Sequence, residues 1–327
     1  MYKFIIQKYH FKDSYYTFDY IFYILNALIL SIKNKDELFF VNLLQQLFNT
    51  ITMTENKDTK FKPIVIKNLF LKKNPSLAKK IPGFIYSYLN KVTHIDEVNY
   101  FFSTYDHLKG VDFAKQVLEY LNIKVKIKNP ENILTDGRFV FASNHPLGGA
   151  DGIILIALLG EKFDLAFPVN DILLNVKNLN NIFTPINKHG AQAKDAAESL
   201  NNAFNSDKQI IIFPAGLVSR RKKGKIEDLE WKKTFITKAK SSNRDIIPVH
   251  VSGRNSNFFY NLANIRKLLG IKANIEMLYL IAEFSKHRNK TFEITFGEKI
   301  SIESIDKSKS HKKWAQTIKN IVHSLNI

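Results

Sequence analysis

Beyond Arg138, short apolar runs alternate with helical patterns, and this alternation restricts the fold more than any other feature of the sequence. Short apolar runs bounded by turn residues are typical of buried strands, and the longer runs between them carry apolar residues at helical spacing. Such alternation predicts an α/β domain with a central mixed sheet flanked by helices. The predicted strands are residues 139–143, 165–169, 182–186, 210–213, 246–251 and 292–296, and the predicted helices are residues 151–159, 191–204, 231–240, 257–269 and 314–325.

The first 135 residues differ from this pattern, and they divide the chain into three parts. The parts are a predicted N-terminal apolar helical extension (residues 1–60), a predicted helical region (61–135) and the α/β domain (136–327). The apolar run at 20–32 is shorter than the roughly 20 residues that a bilayer span needs, so we interpret it as a core or interfacial helix. One hypothesis is that translation can begin at Met53, which would make residues 1–52 dispensable.

Charge and cysteine content restrict the possible partners and chemistries. The chain carries 48 Lys and Arg against 30 Asp and Glu, a formal net charge of +18. Its expected partners are therefore anionic: membrane lipids, phosphates, acidic proteins or nucleic acid. The absence of cysteine excludes disulfides, thiolate zinc sites and a cysteine nucleophile.

His145 follows the first predicted strand almost directly, and Asp151 comes six positions later, beyond the pair Gly148 and Gly149. Ligands of α/β sheets bind near the carboxyl ends of the strands. A histidine and an aspartate on either side of a flexible turn can share a proton, which equips the histidine as a general base toward a hydroxyl. The alternative is a structural histidine bound to the turn. Two such residues are too few for a metal site, so no metal is predicted.

A basic segment, which we predict to be a loop, follows the predicted strand that ends at Phe213. Five cations occupy positions 220–225, beginning with Arg220 and Arg221. These arginines predict a site for a phosphate or carboxylate, and a solvated run of charges is the alternative. Arg254, after another predicted strand, is either a further anion contact or an ordinary surface arginine.

In this order, these elements resemble the glycerolipid (lysophospholipid) acyltransferase family over roughly residues 138–300. The family's first block has an Asn-His pair, matched by Asn144 and His145, and an Asp after four intervening residues. Here five residues intervene, and the turn at Gly148 and Gly149 either absorbs the extra one or leaves the pair out of register. The Asn-His-Pro-Leu-Gly-Gly-x-Asp form resembles the haemolysin-like branch, which includes enzymes that acylate lyso-forms of amino-acid lipids.

Three further blocks contribute to the resemblance. Lys188 ends a weak match to the second block, Pro214 and Gly216 match the third, and residues 247–249 fit the proline-containing strand of the fourth. Ala215 stands where the family has a glutamate that helps to hold glycerol phosphate, which weighs against lysophosphatidate as the acceptor.

The resemblance implies an O-acyltransferase that moves a fatty acyl group from an acyl thioester to the hydroxyl of a lysolipid. His145 would be the general base, Asp151 would orient it, and the backbone amides near the glycine pair would stabilise the oxyanion. The implied substrate-binding residues are Asn144, Gly148, Gly149, Lys188, Pro214, Gly216, Arg220, Arg221 and Arg254.

The expected donor is acyl-CoA or an acyl-carrier protein, and no bound cofactor is expected. The protein is expected to be peripheral, on an anionic membrane surface at its cytoplasmic face, because Lys and Arg are attracted to anionic lipids. Two alternatives remain open: a non-catalytic lipid-binding member of the same fold, and a basic nucleic-acid-binding protein, although no nucleic-acid-binding motif is present. The acceptor head group, the acyl-chain preference, the donor type and the oligomeric state are not determined by the sequence.

Overall fold

The structure of the protein is a computed structural model that describes residues 63–73, 79, 81–170, 173–186, 192–270 and 274–325. The predicted extension at 1–60, the hypothetical start at Met53 and the predicted site residue Lys188 lie outside the described residues.

From β2 onward, the described residues form strands interspersed with helices. The helices are α1 (Ile66–Lys73), α2 (Gly83–Val92), α3 (Ile95–Tyr105), α4 (Gly110–Tyr120), α5 (Gly149–Leu159), α6 (Gln192–Asn205), α7 (Thr234–Ser241), α8 (Asn257–Leu268), α9 (Leu280–Ser285) and α10 (His311–Ser324). The strands are β1 (Lys124–Lys128), β2 (Phe139–Ser143), β3 (Leu165–Val169), β4 (Phe183–Pro185), β5 (Gln209–Ile212), β6 (Arg220–Lys222), β7 (Lys225–Glu227), β8 (Asp245–Val251) and β9 (Thr291–Phe296).

Seven of these strands form one mixed sheet in the order β1-β9-β8-β2-β5-β3-β4. Neighbouring strands run parallel except β8 and β9, which are antiparallel. The prediction of a central mixed sheet flanked by helices is therefore confirmed. Because β2 lies in the middle of the sheet, its carboxyl end has a parallel neighbour on each side.

The sheet is buried on both faces, as β2 illustrates. Phe139 and Phe141 point into a core shared with α4 and α5, whereas Val140 and Ala142 point into a core shared with α7 and α10. Every residue of β2 is buried, so its sequence is a continuous run of small and apolar side chains rather than an alternating one. This double burial holds the carboxyl end of β2 rigidly.

Two segments differ from the expectations. Residues 124–128 lie in the range predicted to be helical, but they form β1, an edge strand that pairs with β9. Its lysines stay exposed, which is how natural sheets protect an edge, and its shortness gave no clear alternating pattern. The basic segment is not a loop but the hairpin β6–β7, because Lys223 and Gly224 both adopt positive φ (48° and 80°) in a two-residue turn.

Buried histidines predict that the fold loses stability in mild acid. Burial lowers the pKa of His250, on β8, to about 4, and burial likewise lowers the pKa of His287, beside Phe292, to about 4. In the unfolded chain both titrate near 6.5, so on acidification the unfolded state binds protons first. The contribution of these neutral histidines to the free energy of unfolding is present above pH 6.5 and is lost as the pH falls toward 4. Between pH 7 and pH 5 we expect a loss of about 2 kcal/mol for each histidine.

Urea unfolding at pH 7, 6 and 5 measures this loss. The variant His287→Asn is expected to reduce the loss between pH 7 and pH 5 by about 2 kcal/mol, whereas His107→Asn, at an exposed position, leaves it unchanged. Equal unfolding free energies at pH 7 and pH 5 in the unmodified chain would contradict this account.

Candidate active site

Three parallel strands bring the predicted site residues to one edge of the sheet. β2 runs parallel to both β5 and β8, so the carboxyl ends of the three strands meet at this edge. His145 follows β2, Phe213 follows β5, and Arg254 follows β8. The sheet therefore brings together segments that are far apart in the sequence. They meet at the edge where α/β sheets bind their ligands.

His145 and Asp151 are in direct contact, with His145 Nδ1 and Asp151 Oδ2 2.7 Å apart. Asp151 is fully buried in the first turn of α5, and its carboxylate also accepts the N–H of Leu147 at 3.0 Å. The His145 ring stacks on Phe213, with ring centroids 4.2 Å apart. The extra residue in this block is thus absorbed by the turn, and the aspartate and the phenylalanine together hold the imidazole in one orientation.

The electrostatics of the pair suit a carboxylate that steers an imidazole. Burial raises the pKa of Asp151, and the contacts with His145 and the Leu147 N–H oppose that rise. An ionised Asp151 requires a proton on Nδ1 of His145, which leaves Nε2 as the nitrogen that can accept one. The His145 side chain keeps 16 % of its surface exposed, so the imidazole remains reachable from outside the core.

Gly148 and Gly149 form the entry to α5. Gly148 has φ of +84°, and a Cβ placed on it would lie 3.1 Å from Leu280, so a larger residue would be strained there. The amides at the start of a helix have no partner within the helix and carry partial positive charge. This places potential donors for an oxyanion in the turn between His145 and Asp151.

Asp228 fixes the main chain of His145, although no sequence pattern singled this residue out. Its Oδ1 accepts the His145 N–H at 3.1 Å and the Ser219 hydroxyl at 2.5 Å, and its Oδ2 accepts Trp231 Nε1–H at 2.9 Å. The Ser219 N–H also donates to the His145 carbonyl at 2.8 Å. The buried carboxylate therefore ties the histidine to the segment that follows β5.

Asn144 connects the ends of β2 and β8. Its amide donates to the Val251 carbonyl at 2.9 Å and accepts the Val251 N–H at 2.7 Å. The side chain is only 4 % exposed. Asn144 therefore extends the pairing of two strands and positions His145, while its predicted contact with substrate stays a prediction.

Pro214 and Gly216 form a tight turn after β5. The Gly216 N–H donates to the Phe213 carbonyl at 2.9 Å, and Gly216 has φ of +68°. The Pro214 carbonyl accepts the N–H of Lys232 at 3.0 Å, and the Lys232 amine lies beside Gly216. Pro214 is buried and Gly216 is exposed, so of the two only Gly216 can be reached from solvent.

Arg220 lies in a buried cluster of ion pairs, and its predicted contact with substrate stays a prediction. Its Nη2 lies 3.0 Å from Oε1 of Glu276, whose Oε2 lies 2.8 Å from Nε of Arg266. These three side chains, the buried triad, are at most 8 % exposed. Successive side chains of a strand point to opposite sides, and Arg220 is on the buried side of β6. Its charge is neutralised by the carboxylate of Glu276, 56 positions away in the sequence.

Arg221 and Arg254 converge on one side chain. Nη1 of Arg221 and Nη2 of Arg254 lie 3.3 Å and 2.8 Å from Oδ1 of Asn257, and Arg221 also donates to Asn261. Among the described residues, no carboxylate pairs with either guanidinium. Two like charges held together by neutral amides form a site that suits an anion.

The arginine pair lies near the histidine. A Cβ on Gly253 would lie 3.1 Å from the side chain of Leu147, so the loop that carries Arg254 touches the loop that carries His145. Burial raises the pKa of Tyr260, and the charges of Arg254 and Asp151 act on its hydroxyl in opposite directions. Tyr260 is therefore within electrostatic reach of both sites.

Two features are absent from the described residues. No group of three or more His, Asp or Glu side chains is arranged to hold a metal ion there. In the same part of the chain, no helix combines the length and the apolar character that crossing a bilayer requires.

Comparisons with known proteins show what the whole chain is similar to. The model of a family described as acyltransferase matches residues 68–325. The chain is 49 % identical over 264 residues to a lyso-glycine lipid O-acyltransferase of Bacteroides thetaiotaomicron, covering 80 % of this chain and 97 % of that protein. It is 47 % identical over 264 residues to the protein of the same name from Phocaeicola vulgatus, covering 80 % of this chain and 95 % of the relative. Among solved structures it is similar to the 1-acyl-sn-glycerophosphate (LPA) acyltransferase PlsC from Thermotoga maritima, with TM-score 0.42 and 18 % identity over 87 % of this chain and 95 % of that chain.

Proposed function

The chain belongs to the acyltransferase family, and from that premise we propose that it moves an acyl group from a thioester to the hydroxyl of a lysolipid. The observation that carries the proposal is the 2.7 Å contact between His145 Nδ1 and Asp151 Oδ2 at the carboxyl end of β2. A buried carboxylate on one imidazole nitrogen leaves the other nitrogen basic and oriented, which is what deprotonation of a hydroxyl requires.

The acceptor that we propose is lyso-glycine lipid. Both curated relatives carry that substrate in their names, and each is aligned with this chain over nearly its whole length. A glycine linked through its nitrogen retains one carboxylate, so the acceptor presents a negative charge as well as a hydroxyl. The arginine pair on Asn257 offers a complementary charge, and the loop that carries Arg254 touches the loop that carries His145.

The reaction follows from the positions of these groups. His145 Nε2 takes the proton of the acceptor hydroxyl as the oxygen attacks the thioester carbonyl. The oxyanion of the tetrahedral intermediate is held by amide groups at Gly148 and Gly149. The carbon–sulfur bond then breaks, and the departing thiolate receives the proton from the His145 imidazolium. Asp151 stabilises that imidazolium throughout, and no covalent bond to the protein forms.

The donor in this proposal is acyl-CoA or an acyl-carrier protein, and the site of action is the cytoplasmic surface of a membrane. Both donors are anionic, as is a bilayer that contains acidic lipids. A chain with formal net charge +18 is attracted to each of them.

Arg221 and Arg254 would hold the acceptor carboxylate. Guanidinium groups bind a carboxylate through paired, charge-assisted hydrogen bonds, each worth about 1.5–3 kcal/mol. The amide of Asn257 brings the two groups together before any ligand is bound. This arrangement favours an acceptor with a free carboxylate over a neutral one of the same length.

Acceptor selectivity tests this proposal. Purified chain is supplied with acyl donors and with lyso-glycine lipid, its methyl ester or lysophosphatidate, and extracted products are identified by mass spectrometry. We expect acylated glycine lipid as the main product. The change Arg254→Gln is expected to raise KM for the free carboxylate about 10–100-fold and to leave turnover of the methyl ester unchanged.

Arg288→Gln is the matched control, because Arg288 makes an exposed ion pair with Glu97 away from the arginine pair. It is expected to keep the KM of the unmodified chain. Lipid binding without any acylated product, from either donor, would refute the proposed activity and support the non-catalytic alternative.

A further inference from the structure

Three aliphatic side chains project from the carboxyl-terminal end of α8. Ile265 is 46 %, Leu268 86 % and Leu269 51 % exposed. We call Ile265, Leu268 and Leu269 the apolar tip. Isolated exposed aliphatic residues are common, but three at one helix end form a contiguous patch that costs free energy in water. The apolar tip therefore needs a partner.

The helix that carries the apolar tip is firmly attached to the domain. Arg266, between Ile265 and Leu268, points inward to Glu276 and belongs to the buried triad. Phe259 and Tyr260, at the other end of α8, are fully buried. The tip is therefore a rigid projection, because the inward-facing side of α8 is fixed at both ends.

Unpaired cations lie on α8 and on the hairpin packed against it. Lys267 is exposed within the tip, and β6 contacts α8 through Arg221, which binds Asn257 and Asn261. Lys222, Lys223 and Lys225, around the turn of that hairpin, are exposed, and within the described part of the chain no carboxylate pairs with them or with Lys267. Exposed leucines flanking Lys267, on a helix whose neighbouring hairpin carries three more exposed lysines, match an anionic bilayer, which has acidic head groups outside and hydrocarbon inside.

We propose that the apolar tip inserts into the surface of an anionic bilayer and docks the chain there, with the hairpin lysines against the head groups. This inference rests on the proposed function, because a lysolipid acceptor is supplied from a membrane. The end of α8 at Asn257, where the arginine pair converges, lies about 17 Å along the helix from Leu268. Docking through the tip therefore holds the arginine pair at most about 17 Å along α8 from the inserted Leu268.

Sedimentation with vesicles, in the absence of substrate, tests the docking. The purified chain is mixed with vesicles of phosphatidylcholine, with or without phosphatidylglycerol. We expect it to bind the anionic vesicles, and the double variant Leu268→Ser, Leu269→Ser to bind about 100-fold more weakly. The double variant Lys222→Gln, Lys223→Gln is expected to lose about 30-fold on anionic vesicles and nothing on neutral ones.

Ile321→Ser, at a 36 % exposed position on α10, is the matched control and is expected to bind like the unmodified chain. The leucine variant should keep its kcat for acceptor dispersed in detergent. Unchanged vesicle binding by the leucine variant overturns the docking. A dimer in solution that the same variant converts to a monomer also overturns it, because the tip would then contact a second copy of the chain. A third outcome is that the leucine variant loses vesicle binding while the unmodified chain forms no acylated lipid with either donor. That outcome refutes the proposed function but not the docking.

Discussion

The variant His145→Ala is expected to lower kcat for acyl transfer by about 10²–10⁴-fold, the usual contribution of a general base. The reason is that the variant removes the imidazole that these contacts hold in place. Asp151 Oδ2 lies 2.7 Å from Nδ1 of His145, and Phe213 stacks on the ring. Initial rates at saturating donor and acceptor measure the effect. KM for the acceptor should change little, because the arginine pair remains in place.

The companion variant Asp151→Asn separates orientation from simple removal of charge. An asparagine can still accept the Leu147 N–H, but its amide does not hold the proton on Nδ1 of His145 as a carboxylate does. We therefore expect kcat to fall by at least about tenfold with a folded protein.

His107→Ala is the control, since His107 is exposed, and it should keep full activity. A folded His145→Ala variant that retains more than a tenth of the original kcat would remove the catalytic assignment.

The variant Glu276→Gln is expected to destabilise the fold by about 3–5 kcal/mol, because it removes the carboxylate that the buried Arg220 and Arg266 share. Burial lowers the pKa of Arg220, and Glu276 opposes that shift, so the carboxylate is what makes the buried charge tolerable. Chemical unfolding at pH 7 measures the loss.

Glu230→Gln provides the comparison, because Glu230 pairs with Lys312 at 2.7 Å on the surface, where the two side chains are 58 % and 67 % exposed. Surface pairs contribute at most about 1 kcal/mol, so this variant should be nearly neutral. Equal unfolding free energies for the two variants would show that the buried triad is not a stabilising element.

Local patterns were sufficient for the central sheet and for the histidine–aspartate pair. Phe139–Ser143 is buried on both faces, so its apolar run was recognisable without any partner strand. His145 and Asp151 are six positions apart and separated by one turn, so their contact depends on local geometry. β1 was missed because its lysines alternate with only two apolar residues at the edge of the sheet.

The arginines show where local patterns stop being informative. Arg220 and Arg221 are adjacent and identical in type, yet one is buried against Glu276 and the other lies on the outer side of β6 with Asn257. Only the direction in which each side chain leaves the strand decides which arginine is buried. The partner of Arg220 is 56 positions away in the sequence, and that of Arg221 is 36 positions away. Asp228, which holds the His145 N–H from 83 positions away, was missed for the same reason.

The strands at the centre of the sheet, the helices that flank them and the reactive pair were thus determined by the sequence, since each depends on residues within one strand, one turn or one helix. The tertiary structure decided which arginine is neutralised, which pair remains open to an anion, and what holds the histidine in place. Those outcomes depend on contacts between distant segments, and such contacts exist only once the parallel strands have brought their carboxyl ends to one edge.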